Sequence, residues 1–69
     1  MLDTFVTLTA REAEVLQHVA HGERNCDIAR MLDITARSVE RHLTHVFGKL
    51  QVPNRTAAVA IYWQHHPNG

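Results

Sequence analysis

The chain has 69 residues, 45% of them hydrophobic, and seven basic side chains balance seven acidic ones for a formal net charge of zero. That is enough for one small globular domain spanning 1–69 and too little for a second, and the hydrophobic content excludes a disordered polyelectrolyte. The single cysteine, Cys26, excludes an intrachain disulfide and fits a reducing, cytoplasmic setting.

The first ordered segment opens with Thr9-Ala10-Arg11-Glu12. This is a capping box, in which the Thr9 hydroxyl accepts from the Glu12 amide and the Glu12 carboxylate accepts from the Thr9 amide. A helix follows over about 10–21, with Val15, Leu16, Val19 and Ala20 as its apolar stripe. Gly22 supplies the left-handed position that ends it. A second helix spans about 25–32, with Asn25 as N-cap and Ile28, Ala29 and Leu32 facing inward. Asp33-Ile34-Thr35 forms the turn: Asp33 tolerates left-handed backbone, Ile34 plugs the corner, and Thr35 caps the next helix.

The third helix covers about 36–50 and has two faces. Val39, Leu43, Val46, Phe47 and Leu50 line the inner one, and Arg37, Arg41 and Thr44 the opposite one. Gly48 lies on the outer face, where tolerance of a surface site is slightly favoured over a close backbone approach. Gln51 to Asn54 is a connector broken by Pro53, and Asn54 caps a fourth helix over about 55–65. That helix is apolar all round its middle, yet a small core covers only one side. Ala58, Ile61 and Tyr62 are assigned to the core, and Val59 and Trp63 to a two-fold contact with a second copy. Pro67-Asn68-Gly69 is read as a polar tail, and His65 and His66 as a frayed end.

Two short helices joined by a tight turn, the second carrying arginines opposite its core face, suit the DNA major groove. The charge distribution agrees. Residues 1–33 carry three basic and six acidic side chains, a net −3, whereas residues 34–69 carry four basic and one acidic, a net +3. A local basic face, rather than the total, is what meets phosphate. Arg41 points directly away from the apolar stripe and is placed to read guanine; Arg37, near the helix N-terminus, is placed for phosphate.

The segments LTAREAEVLQHVAHG, NCDIARMLDITARSVERHLTHVFGKL and NRTAAVA, in that order and spacing, resemble the LuxR-type (GerE-like) helix-turn-helix family over residues 8 to about 62. The resemblance implies an all-α, four-helix bundle-like domain that contains the helix-turn-helix and ends in a dimerisation helix. It implies DNA binding as a dimer to a pseudo-palindromic site, with the third helix in the major groove. Carried over by position, Glu40, Arg41 and Thr44 stand where the family reads bases. Ser38, Lys49 and Arg55 stand where it touches the phosphate backbone. Glu40 departs from the family's usual lysine, and Asp33 and Gln51 stand where glycine is frequent. A carboxylate repels phosphate but can accept from the cytosine amino group, so the target sequence should differ from that of typical members.

Other classes fit less well. A sigma-factor promoter-reading region shares the EVL…IA…LDIT…SV pattern, but the Asn54-Arg55-Thr56 segment and the apolar fourth helix favour the LuxR-type reading. Neutral net charge and Glu40 support a protein-interaction module that has lost DNA binding. His18/His21 and His42/His45 are spaced three apart and Cys26 could add a thiolate, but no recognised zinc spacing exists, so no metal or other cofactor is expected. His42, on the flank of the third helix, is assigned to packing or a phosphate. No catalytic motif appears, so an enzyme is not expected; Glu12 and Glu14 are assigned to capping and to an ion pair with a nearby arginine. No apolar run approaches the roughly 20 residues of a membrane helix, and MLDTFVTLTARE lacks the regions of a signal peptide. The expected partners are double-stranded DNA, a second copy held weakly in the absence of DNA, RNA polymerase, and an N-terminal regulatory domain if the chain is a fragment rather than a stand-alone regulator.

Overall fold

A computed structural model describes residues 8–65. Those residues form four helices: α1 (Ala10–Ala20), α2 (Asn25–Leu32), α3 (Ala36–Leu50) and α4 (Arg55–His65). The N-terminal segment before Leu8, His66 and the Pro67-Asn68-Gly69 tail lie outside the described residues. His65 closes α4 as its last helical residue.

Each helix boundary has a local cause. At α1 the Thr9 hydroxyl accepts from the Glu12 amide at 3.1 Å, and the Thr9 amide donates to Glu12 Oε1 at 3.0 Å. The helix ends at Ala20, with His21 as C-cap and Gly22 beyond it at φ +86°. After α2, Asp33 takes left-handed backbone (φ 57°), and the Ile34 amide then donates to the Ala29 carbonyl at 2.9 Å. Thr35 caps α3 by accepting from the Ser38 amide at 3.0 Å. Gln51 repeats the Asp33 solution at the other end of α3 (φ 58°). The Asn54 side chain accepts from the Ala57 amide at 2.9 Å and starts α4.

The start of α2 corrects the sequence reading. Asn25 is the first helical residue, Arg24 occupies the N-cap position, and no side chain caps the helix there. The Asn25 side-chain oxygen, Oδ1, instead accepts from Arg55 Nη1 at 2.8 Å. A capping side chain needs extended backbone, which Arg24 and not Asn25 adopts, so the Asn25 oxygen is left to a charged donor from α4, and a charge-assisted hydrogen bond is about twice as strong as a neutral one.

Two buried clusters make the core, and α3 runs through both. Val15 and Val19 of α1, Ile28 and Ala29 of α2, and Val39 and Leu43 of α3 form the first, with Ile34 packed against it at the turn. Leu16 of α1, Val46 and Leu50 of α3, and Ala58 and Tyr62 of α4 form the second. Half-buried Phe47 touches both clusters, and half-buried Ile61 packs against the second. The turn at Asp33 therefore fixes α2 on α3, and the clusters fix α3 with one side free.

Candidate nucleic-acid interface

The free side of α3 carries Arg37, Glu40, Arg41 and Thr44, all exposed, while Val39 and Val46 are fully buried behind them. Arg37, Glu40 and Arg41 have no ion-pair partner among the described residues, so their charges face water. Gly48 extends the same strip, and a side chain there would meet open space. Its presence therefore needs no close contact within the domain.

Ser38 sits half-buried at the first turn of α3. Its hydroxyl accepts from the Thr35 hydroxyl at 3.1 Å, which leaves its own proton available to an outside acceptor. Thr44 is the converse case. Its hydroxyl donates to the Glu40 carbonyl at 3.0 Å.

Lys49 and Arg55 are held by other helices. The Lys49 ammonium donates to Glu12 Oε1 at 2.7 Å and keeps 35% of its side chain exposed. Arg55 donates from Nη1 to Asn25 and from Nη2 to the Glu23 carbonyl at 2.7 Å, which ties the start of α4 to the α1–α2 loop. These two cations thus brace the fold, whereas Arg37 and Arg41 do not.

Glu12 is the residue that sequence reasoning undervalued. Its side chain is 5% exposed, and it gathers Lys49 and, at 3.6 Å, His45 Nδ1 from α3. Burial alone would raise its pKa. The Lys49 hydrogen bond, the Thr9 amide and the charges of Lys49 and His45 outweigh burial and hold the carboxyl below its ordinary value. The capping box accounts for one of its bonds; the partners 33 and 37 positions away left no local signal. Glu14 pairs with Arg11 at 3.6 Å, as its spacing suggests.

His18 and His21 are engaged within the fold. His18 Nδ1 lies 2.7 Å from Glu23 Oε1, and His21 meets the Gln17 carbonyl at 2.7 Å. The His21 ring also stands edge-on to Tyr62 and Trp63. Among the described residues no group of His, Cys, Asp and Glu could hold a metal ion, and no helix is long and apolar enough to cross a membrane. On α4, Val59 and Trp63 are half-buried against the first and second clusters respectively. The strip most open to solvent between α4's flanks is Thr56, Ala60 and Gln64.

Residues 6–62 match the family described as bacterial regulatory proteins, luxR family. The monoamine regulon transcriptional regulator of Klebsiella aerogenes is 45% identical over 56 residues, covering 81% of this chain and 25% of that protein. Response regulator protein VraR of Staphylococcus aureus (strain Mu3 / ATCC 700698) is 38% identical over 64 residues, covering 93% of this chain and 31% of that protein. VraR of Staphylococcus saprophyticus matches to the same extent. The chain spans between a quarter and a third of the curated relatives it matches. With a helix-turn-helix inside an all-helical domain, and with this match, the chain belongs to the luxR family of bacterial regulatory proteins and is a DNA-binding domain rather than an enzyme.

Proposed function

We propose that this chain binds double-stranded DNA in a sequence-dependent way, with α3 in the major groove, and so directs transcription from a pseudo-palindromic site. The observation that carries this is the exposed strip Arg37, Glu40, Arg41 and Thr44 on a helix whose other face is locked in the core. Arg41 is the guanine reader, a bidentate contact worth roughly 1–3 kcal/mol of discrimination. Arg37, Ser38, Lys49 and Arg55 position the helix on the backbone. Fixed ammonium and guanidinium groups need less ordering when they meet phosphate.

Dimerisation through α4 suits a two-half-site operator, because a two-fold contact lets each copy read one half. Thr56, Ala60 and Gln64 would centre that contact, with the exposed parts of Val59 and Trp63 at its edge. The patch is small, so the isolated domain is monomeric or weakly dimeric and pairs on DNA. The relatives are a transcriptional regulator and response regulators. By analogy, a regulatory domain joined to this one and RNA polymerase are the further partners, and the setting is cytoplasmic.

The test has two parts. Binding to random duplex DNA is titrated with salt; affinity must fall steeply, since neutralised phosphates release counterions. Selection from a random duplex pool must then return a motif with two related halves. Salt-independent binding, or a pool that stays random, overturns the proposal.

A further inference from the structure

The hydrogen bond from the Thr44 hydroxyl to the Glu40 carbonyl, 3.0 Å, fixes what Thr44 can offer a ligand. With its proton committed to the helix backbone, the oxygen has only lone pairs left, alongside a methyl group. Glu40 lies one turn away on the same side, exposed and without an ion-pair partner among the described residues. An ionised carboxylate is likewise acceptor-only. The two residues are about 6 Å apart along the helix axis, less than two base-pair steps of about 3.4 Å.

We infer that Glu40 and Thr44 form an acceptor-only edge on α3 that selects a major-groove amino group, with cytosine opposite Glu40, beside the guanine read by Arg41. This rests on the proposed placement of α3 in the major groove. The chemistry of the base edges decides the choice. Guanine presents two acceptors and thymine one acceptor and a methyl group, so both oppose a carboxylate. Adenine has an amino group, but its neighbouring N7 is an acceptor that meets Glu40 with unfavourable charge. Cytosine presents its amino group alone. The same carboxylate lies close to phosphates, so it weakens binding to every sequence while it rejects wrong bases; such a repulsive element is a source of specificity. Arg41 is donor-only, 100° round the helix from Glu40, so adjacent residues demand opposite base edges.

The experiment is selection from a random duplex pool with the wild-type chain, Glu40→Gln, Thr44→Val and Arg41→Ala, followed by affinity measurements on the selected duplex and its single-base variants. Glu40 and Thr44 are exposed, so each variant should keep its helices, which circular dichroism checks. The wild-type motif should carry a cytosine next to the guanine that Arg41→Ala ceases to select. Glu40→Gln, whose amide can donate as well as accept, should reduce discrimination against adenine at that cytosine on the order of tenfold, while binding to random DNA strengthens. Thr44→Val should relax a second position and admit thymine there, whose methyl group suits the valine. If Arg41→Ala relaxes one position while Glu40→Gln and Thr44→Val leave every preference unchanged, the acceptor edge is refuted and the groove placement stands. If no variant changes a motif, or no motif is selected, the placement itself fails and the inference with it.

Discussion

Replacing Lys49 by methionine should destabilise the fold more than replacing Glu12 by glutamine, although both remove the same ion pair. The asymmetry comes from burial. Glu12 is 5% exposed and cannot turn to water, whereas Lys49 is 35% exposed and can. Methionine at 49 leaves a buried carboxylate without its ammonium, a loss of about 3 kcal/mol. Glutamine at 12 keeps an oxygen in the Oε1 place that serves both the Thr9 amide and Lys49, and the partly exposed lysine can also hydrate, a loss of about 1 kcal/mol. A domain of 69 residues has roughly 3–10 kcal/mol in all, so the first variant sits near its limit. The pH dependence separates the two further. The Glu12 pKa is depressed in the folded state, so its stabilisation is present above the ordinary value of 4.5 and is lost as pH falls through the folded value. The cost of Lys49→Met should therefore shrink as pH drops through that range, since a protonated Glu12 no longer needs a cation. Glu12→Gln should lack this part of the acid destabilisation. Urea melts from pH 7 down to pH 3 measure both. Equal costs at pH 7, or a Lys49→Met penalty that grows in acid, would refute the assignment of Glu12 as a buried, ionised hub.

Three other outcomes follow from the packing. Leu43→Ala, at a position 4% exposed in the first cluster, should cost roughly 2–5 kcal/mol in a denaturant melt; a loss below about 1 kcal/mol would mean that α3 does not face the core as described. Asn25→Ala should cost about 1 kcal/mol, because it removes one of the two acceptors that Arg55 uses to hold α4, and Arg55→Ala should cost less once Asn25 is gone, the remainder being the bond to the Glu23 carbonyl; full additivity of the two would contradict the coupling. Ala60→Glu should abolish cooperative binding to a two-half-site duplex while leaving the melt and single half-site binding unchanged, whereas Val59→Glu should also lower stability, since Val59 packs on the first cluster; unchanged cooperativity in Ala60→Glu would remove α4 as the dimer element.

The architecture was largely legible because its determinants are local. Thr9 and Glu12 are three apart, Asp33 and Gly22 mark left-handed positions, Thr35 and Asn54 precede their helices, and the apolar spacing of α3 fixes its buried face. Asn25 shows where this stops. A residue of good capping type stands one place past the N-cap, and a cation 30 positions away takes its oxygen. The site divides in the same way. The outward strip of α3 follows from the 3.6-residue period. The distinction between free arginines and the tethered Lys49 and Arg55 depends on Glu12, Asn25 and the Glu23 carbonyl, which only folding brings near. The committed hydroxyl of Thr44 was equally hidden, because threonine in a helix can bond back to the chain or outward, and sequence does not choose.

The central claim is that Arg41 reads a base while Lys49 grips the backbone. It is tested most directly by measuring the affinity of wild type, Arg41→Ala and Lys49→Ala for the selected duplex and for random duplex at several salt concentrations. Arg41→Ala should lose roughly 1–3 kcal/mol more on the selected site than on random DNA. Lys49→Ala, with its residual fold verified, should weaken both about equally and reduce the salt slope by about one. Equal losses on both DNAs for Arg41→Ala would contradict base reading by the exposed face of α3.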